Sequence, residues 1–289
     1  MLPVCPCSAV LGAYLGKKMR SIPRPAPFVL VSSNHGTLII NRNDYHMVDE
    51  EHGFGVGFQI MNHSRFDQEE VDFALALLQC RRADYGDGVV AVDCGANIGV
   101  HTVEWARLMF GWGRVVAFEA QEKIFYALAG NIAINNCFNV TARLAAVGAE
   151  CGTIGIPEPN YFIPSSYGSF ELRGGEKTEY IGQEIDYSRK DKIIDMVSID
   201  SLGLARLDFV KIDVERMELE VLEGAKSSIA KFKPQMIIEV VKSDKEKILE
   251  FLEGAGYRVY SPGENVLAVH RADPAIERIR VENDVLLIG

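Results

Sequence analysis

The most informative part of this chain is VVAVDCGANIG at residues 89–99. Its apolar part is short and rich in valine, which indicates a buried parallel strand rather than a helix. The run ends at Asp93, and a glycine-containing turn leads into a helix pattern that starts at Val100. Glycines at such a turn let the backbone approach a ligand closely, and the helix start points amide donors at it. The stretch therefore predicts a nucleoside-cofactor site at the first strand–helix turn.

The residues of this turn favour S-adenosylmethionine over a nicotinamide dinucleotide. Asn97 stands between Gly95 and Gly99, so the dinucleotide fingerprint G-x-G-x-x-G is incomplete. A carboxylate at Asp93 would repel a pyrophosphate but attract the amino group of S-adenosylmethionine. We therefore predict a cofactor-binding loop made of Asp93, Gly95, Ala96, Asn97 and Gly99.

Length and composition describe an ordinary globular protein. The chain has 289 residues, of which 48% are hydrophobic and 24% are charged, enough for a sizeable core. Its net charge of −10 argues against a nucleic-acid partner, because phosphate contacts need clustered Lys and Arg. No apolar stretch is long enough to span a membrane, and the mildly apolar residues 2–15 precede their positive charges, unlike an export signal. The cysteines lack C-x-x-C spacing, so we expect reduced thiols and a cytoplasmic location.

Strand and helix patterns alternate along the chain after residue 89. Further strands are predicted at 114–119, 139–147, 207–213, 235–241, 257–260 and 265–270, with helices over 122–136, 215–231 and 244–255. This alternation implies right-handed crossovers, and therefore an α/β fold with a mostly parallel sheet and helices on both faces. Residues 149–195 interrupt the alternation, and we expect them to form a substrate-facing insertion without regular structure.

The chain is predicted to divide into an N-terminal extension or cap, residues 1–65, and a cofactor-binding domain, residues 66–289. Within the extension, a short hairpin is predicted around residues 34–36. The domain is predicted to open with a helix that has Asp67 as its N-cap and Glu70 as the capping-box acid.

Acidic residues end four of the predicted strands, namely Asp93, Glu119, Asp213 and Glu239. The carboxyl ends of parallel strands share one edge of the sheet, where ligands bind in open α/β folds. Glu119 follows the glycine turn by about 20 residues, a position from which a carboxylate binds both ribose hydroxyls. This edge is therefore the predicted site of both cofactor binding and chemistry.

Three motifs, DCGANIG, FEA and KIDVERMELEVLEGA, resemble the FkbM family of S-adenosylmethionine-dependent methyltransferases. The resemblance runs from about Asp67 to His270 and implies a class I, Rossmann-like sheet of seven strands with the last one antiparallel. It also implies O-methylation of a sugar, a polyketide or another small molecule at a hydroxyl or carboxylate. The residues that it implies for the cofactor, from the methionine end to the adenine, are Asp93, Gly95, Asn97, Glu119, Ala146 and Val147.

The chain departs from the family pattern beside the predicted active site. Where the family usually reads DVEG, residues 213–216 read DVER. An arginine there loses the positive-φ freedom of glycine and adds a forked donor. Two interpretations remain open: Arg216 pairs with Glu220 on the helix surface, or it contacts an anionic or polyhydroxylated acceptor. Tyr167, from the insertion, is a second candidate for acceptor binding.

A hydroxyl acceptor would need a base at the strand ends, whereas a carboxylate acceptor would need none. The candidate bases are Asp213, Glu215 and Glu239. No metal is predicted, because Asp213 lacks an evident downstream Asp-Asn ligand pair. The expected partner is a small-molecule acceptor, and a homodimer remains open.

Three other functions stay open at this point. An NAD(P)-dependent oxidoreductase is disfavoured by the incomplete glycine motif and by Asp93. A nucleic-acid or amino-group methyltransferase often shows Asn/Asp-Pro-Pro-aromatic after the fourth strand, where this chain has DVER. A non-catalytic cofactor-binding protein would bind the cofactor tightly without turning over any acceptor.

Overall fold

The computed structural model describes residues 25–49, 53–261, 263–282 and 285–288. Its strands are β1 (Phe28–Ser33), β2 (Gly36–Asn41), β3 (His46–Met47), β4 (Gly53–Phe54), β5 (Val89–Cys94), β6 (Gly113–Glu119), β7 (Val140–Val147), β8 (Gly152–Ile156), β9 (Lys192–Val197), β10 (Phe209–Ile212), β11 (Gln235–Glu239), β12 (Tyr257–Tyr260), β13 (Asn265–His270), β14 (Ile279–Glu282) and β15 (Val285–Ile288). Its α-helices are α1 (Val56–His63), α2 (Gln68–Tyr85), α3 (Val100–Leu108), α4 (Glu122–Ile134), α5 (Glu218–Glu223), α6 (Lys226–Phe232) and α7 (Lys245–Gly254).

One mixed sheet organises the molecule, in the order β12-β13-β11-β10-β5-β6-β7-β9-β8. The six strands from β11 to β9 run parallel to one another. At one edge β13 runs antiparallel to both of its neighbours, β11 and β12. This is the α/β arrangement that the sequence predicts, including the antiparallel last strand.

Within the described residues the sheet has nine strands, so the prediction of seven was wrong. The two additional strands, β8 and β9, pair antiparallel at the far edge and lie at either end of the predicted insertion. They bury mainly one face, through Ile154, Ile156 and Ile194. Half-buried strands lack the continuous apolar run that marks the central strands, which is why the sequence pattern did not reveal them.

Helices cover both faces of the sheet and enclose two apolar layers. On one face α5, α6 and α7 pack against the sheet, and on the other α2 and α3 do. The predicted helix 215–231 is two helices, and between them Gly224 packs onto the carbonyl oxygen of Gly148, where no Cβ fits. None of the helices in the described part of the chain is long and apolar enough to cross a membrane.

The N-terminal segment packs onto the domain through side-chain hydrogen bonds. The predicted hairpin is confirmed: β1 and β2 pair antiparallel around residues 34–35. Asn131 of α4 accepts a hydrogen bond from the Ile39 N–H at 2.6 Å and donates one to the Ile39 carbonyl at 3.1 Å. The buried carboxyl of Asp44 accepts from the N–H groups of Gly57 and Tyr167, which joins the segment to the insertion. The predicted absence of an export signal at residues 2–15 lies outside the described residues.

The helix α2 begins as predicted after Asp67, but its capping is different. Asp67 adopts a left-handed conformation with φ 38° and makes no side-chain bond to the helix start. Its carboxylate accepts a hydrogen bond from Gln59 instead. Glu70 turns toward the sheet, where it pairs with His101 at 3.1 Å and accepts a hydrogen bond from Asn265. Tertiary partners have displaced the local capping box that the sequence predicts.

Candidate functional site

A cavity of about 230 Å³ opens at the carboxyl ends of the parallel strands. Its floor is built by the ends of β5, β6, β7, β10 and β11, and its walls come from two other segments. The N-terminal segment contributes Phe54, Val56 and Phe66, and the insertion contributes Ser169 and Phe170. Parts of the chain that are distant in sequence therefore meet around the predicted ligand edge.

The turn after β5 contains glycines and an asparagine with positive φ. Gly95 has φ 82°, and a Cβ at this position would overlap the carbonyl oxygen of Asp213. Asn97 has φ 51°, and Ala96 and Asn97 both line the cavity. Gly99 lies at the start of α3 with φ 90°, where a Cβ would press on Leu128 at 2.5 Å. Gly99 therefore serves helix packing and is not among the cavity-lining residues, and its role as a cofactor contact stays a prediction.

Asp93 lies at the end of β5 with its carboxyl group buried against the cavity. Only 1% of the residue is exposed, and burial raises the pKa of the carboxyl above its ordinary value. Thr102 donates a hydrogen bond to Oδ2 at 2.5 Å, whereas Oδ1 has no hydrogen-bond partner. A buried oxygen of this kind is costly unless a donor reaches it, so Asp93 can accept a hydrogen bond from a ligand.

Glu119, at the end of β6, is fixed by the backbone on either side of it. Its two oxygens accept hydrogen bonds from the N–H groups of Asn97 at 2.9 Å and Gln121 at 2.7 Å. Burial raises the pKa of this carboxyl to about 7, although the N–H donors act in the opposite direction. A carboxylate offers about four lone-pair sites, so two remain for ligand hydroxyls. Ala146 and Val147, at the end of β7, form an apolar part of the same cavity.

The three candidate bases meet at the other end of the cavity. Oxygen atoms of Asp213, Glu215 and Glu239 lie within 4.8 Å of one another, and these residues are called the acid cluster below. Lys211 pairs with Asp213 at 2.6 Å, and Lys242 pairs with Glu215 at 2.7 Å. The described structure gives the Glu239 carboxyl neither a hydrogen bond nor a salt bridge.

Mutual repulsion and burial keep protons on this cluster. Burial, followed by the charge of Asp213, raises the pKa of Glu215 to about 8. The same two causes, together with Glu215, raise the pKa of Glu239 to about 9. The protons are shared within the cluster, since neighbouring carboxylates cannot all ionise cheaply.

The two residues predicted to contact the acceptor are held elsewhere. Arg216 points into the insertion and pairs with Glu171 at 3.1 Å, while Glu220 pairs with Arg173. Neither of the two open interpretations of Arg216 describes this arrangement. Tyr167 is fully buried and donates its hydroxyl to the carbonyl of Ile163 at 2.5 Å. Neither Arg216 nor Tyr167 lines the cavity.

Two lysines at the site were not anticipated from the sequence. Lys211 is buried between carboxylates; burial would lower its pKa, but Asp213, Glu70 and Asp93 raise it. A lysine inside the otherwise apolar strand pattern LDFVKID is a signal for such pairing, because a buried ammonium needs a partner. Lys242, three residues after β11, carries no comparable signal, since a lysine in a loop is ordinarily solvated.

Comparison with known proteins connects this site to a methyltransferase family. The family model of the methyltransferase FkbM domain matches residues 93–259, more than half of the chain. The match includes the turn after β5, Glu119 and the acid cluster.

Individual relatives are distant. Methyltransferase sdnD of Sordaria araneosa is 24% identical over 194 residues, covering 58% of this chain and 73% of that protein. Methyltransferase 1 of Beauveria bassiana is 25% identical over 193 residues, covering 61% of this chain and 75% of the relative. The solved structure of methyltransferase FkbM from Methylobacillus flagellatus KT superposes with a TM-score of 0.45 at 18% identity. That alignment covers 64% of this chain and 43% of the solved one.

Proposed function

The chain belongs to the methyltransferase FkbM family, and from this premise we propose that it transfers a methyl group from S-adenosylmethionine to a hydroxyl group of a small molecule. The observation that carries the proposal is the unpaired Glu239 carboxyl beside two ion-paired acids at one end of the cavity within the described residues. The other end of the same cavity has the features that a nucleoside cofactor needs.

Three features of this chain fit the cofactor. The orphaned Oδ1 of Asp93 suits an ammonium group, and Gly95, which has no side chain, lines the cavity beside Ala96. Glu119 keeps lone pairs free for two ribose hydroxyls. When bound, S-adenosylmethionine supplies the methyl group as an electrophile. The task of the protein is then to align the acceptor and to take up a proton.

The charge of the cavity favours a hydroxyl acceptor over a carboxylate. Among the described residues, six acids line it against a single lysine, Lys211. Lys211 is already paired with Asp213, so an anionic acceptor finds no unpaired ammonium there, whereas a neutral polyhydroxylated molecule finds several carboxyl groups as hydrogen-bond partners. This also disfavours the anionic ligand that was one interpretation of Arg216.

Glu239 is the proposed general base. Asp213 and Glu215 each give an oxygen to a lysine, whereas Glu239 is free to take the proton of the acceptor hydroxyl. Its raised pKa makes it the strongest proton acceptor of the three once it is ionised. The rate should therefore rise with pH toward about 9.

The test combines binding and turnover. Calorimetry with S-adenosylhomocysteine, NAD and NADP should detect binding of the adenosyl ligand alone. Asp93→Ala should weaken that binding by about 10- to 100-fold, since a charge-assisted hydrogen bond is lost. Formation of S-adenosylhomocysteine is then followed over a panel of hydroxylated and carboxylated small molecules.

Three results separate the alternatives. Glu239→Gln should retain S-adenosylhomocysteine binding but lose about 100-fold or more in turnover of hydroxyl acceptors. Binding of NAD or NADP by the wild type would contradict the proposal. Turnover of carboxylate acceptors only, unaffected by Glu239→Gln, would contradict the assignment of the base.

A further inference from the structure

The turn that carries the acid cluster holds an unusual backbone. Glu215 and Arg216 are consecutive residues with positive φ, 53° and 80°. Residues with a Cβ are disfavoured in this conformation, and glycine would adopt it freely. A conformational cost at two adjacent residues persists only where the surrounding contacts impose it.

The contacts of Arg216 lie in the insertion. Its guanidinium pairs with Glu171, whose side chain is 1% exposed, and it also donates a hydrogen bond to the Lys177 carbonyl. Glu171 in turn accepts hydrogen bonds from the Thr178 hydroxyl and the Glu179 N–H. Arg216 therefore supplies the positive charge at the centre of residues 168–179, called the wall segment below.

Lys242 makes a second connection on the other side of Glu215. Its Nζ lies 2.7 Å from Glu215 and 2.6 Å from Glu179, and it donates to the carbonyl of Ser169 at 3.0 Å. Its side chain is 13% exposed, so these interactions are largely shielded from water. One ammonium thus joins the acid cluster to both ends of the wall segment.

The wall segment forms part of the cavity beside the acid cluster. Ser169, Phe170 and Leu172 line the cavity, and Phe170 and Leu172 pack with Met217 at the start of α5. The wall segment and the acid cluster therefore border the same cavity.

We propose that Arg216 and Lys242 are positioning residues that fix the wall segment against the turn 213–216 and so set the width of the cavity beside the acid cluster. Because this end of the cavity is taken as the acceptor site, the inference rests on the proposed function. The arginine takes a backbone position suited to glycine because its side chain reaches Glu171. The acids and the facing wall therefore keep a constant separation.

Hydrogen exchange of the intact chain tests this without an acceptor. Arg216→Gln keeps the disfavoured backbone but removes the charge, and Lys242→Met removes the second connection. In both variants we expect exchange across residues 168–179 to become about tenfold faster, because a largely buried carboxylate, Glu171 or Glu215, loses its cationic partner. The strand β10 should stay as protected as in the wild type. Arg216→Lys should restore most of the protection.

Two further variants separate positioning from general stability. Arg173→Gln, the matched control, breaks an exposed pair with Glu220 and should change exchange by less than about twofold. Arg216→Gly relieves the backbone, so its midpoint of thermal unfolding should equal or exceed that of Arg216→Gln while the wall segment still exchanges faster.

Either of two results would overturn the inference: exchange of the wall segment within about twofold of wild type in Arg216→Gln and Lys242→Met, or acceleration spread equally over β10. Calorimetry with S-adenosylhomocysteine on the same samples reports on the proposed function separately. If the wild type fails to bind, the methyltransferase proposal fails, whereas the exchange result still decides whether the wall segment is held.

Discussion

The two ends of the cavity differ in how the chain builds them. One end comes from a continuous stretch, residues 89–119, in which strand, turn, helix and strand follow one another. The rest of the lining joins residues 54–67, 145–147, 166–172 and 211–239, which meet only in the folded protein. The first end depends on backbone conformation, through Gly95 and Asn97, and the second on charge pairs, through Lys211 and Lys242. Local motifs therefore anticipate the first end, whereas the second requires knowledge of long-range contacts.

The largest effect is expected where the two ends touch, at Gly95. The substitution Gly95→Ala would place a methyl group where the carbonyl oxygen of Asp213 lies. It would also force an alanine to adopt the positive φ of Gly95, 82°. Strain and overlap together should cost about 2–6 kcal/mol of unfolding free energy and abolish cofactor binding. Urea unfolding and S-adenosylhomocysteine calorimetry measure both. Gly111→Ala is the matched control, since Gly111 also has φ 82° but no atom lies within 4 Å of the point where its Cβ would stand. Equal losses in the two variants would show that backbone strain alone matters.

A smaller effect is expected from pH at the charged end. Glu215 and Glu239 have pKa values raised to about 8 and 9, so the folded state binds protons more tightly than the unfolded state. The free energy of unfolding should therefore fall as pH rises from about 5 to about 9. In this range the two carboxyl groups are protonated in the folded state but ionised in the unfolded state, so a lower proton concentration favours unfolding. Glu239→Gln should flatten this dependence, as measured by urea unfolding at several pH values. A variant whose stability falls as steeply as that of the wild type would contradict the raised pKa of Glu239.

No effect is expected from metal removal. The oxygens of the acid cluster lie close enough to hold a divalent cation, but Lys211 and Lys242 already supply positive charge to two of the three acids. Methyl transfer should therefore be unchanged by EDTA and by added Mg²⁺ once an acceptor is found. Loss of turnover in EDTA with recovery in Mg²⁺ would contradict this prediction. The acid cluster would then be a metal-binding site and not the site of a general base.

Much of the fold could be predicted because central strands and their turns are local features. The valine-rich run before Asp93 indicates a strand that is buried on both faces. The alternation of strand and helix patterns after it indicates a parallel sheet. Strands β8 and β9 escaped prediction because only one face of each is well buried. Gly99 was assigned to the cofactor because the sequence shows that a glycine is needed but not whether a ligand or Leu128 requires it.

The α/β sheet and the edge where the acids gather could be predicted from the sequence, because backbone preferences and burial repeat with a regular period along the chain. The family and the antiparallel last strand came from the resemblance of three motifs to a known family. The partners of the charged side chains became visible only in the folded protein. Arg216 reaches Glu171, and Lys242 joins Glu215 to Glu179, because an ion pair depends on distance in space and leaves no periodic trace in the sequence.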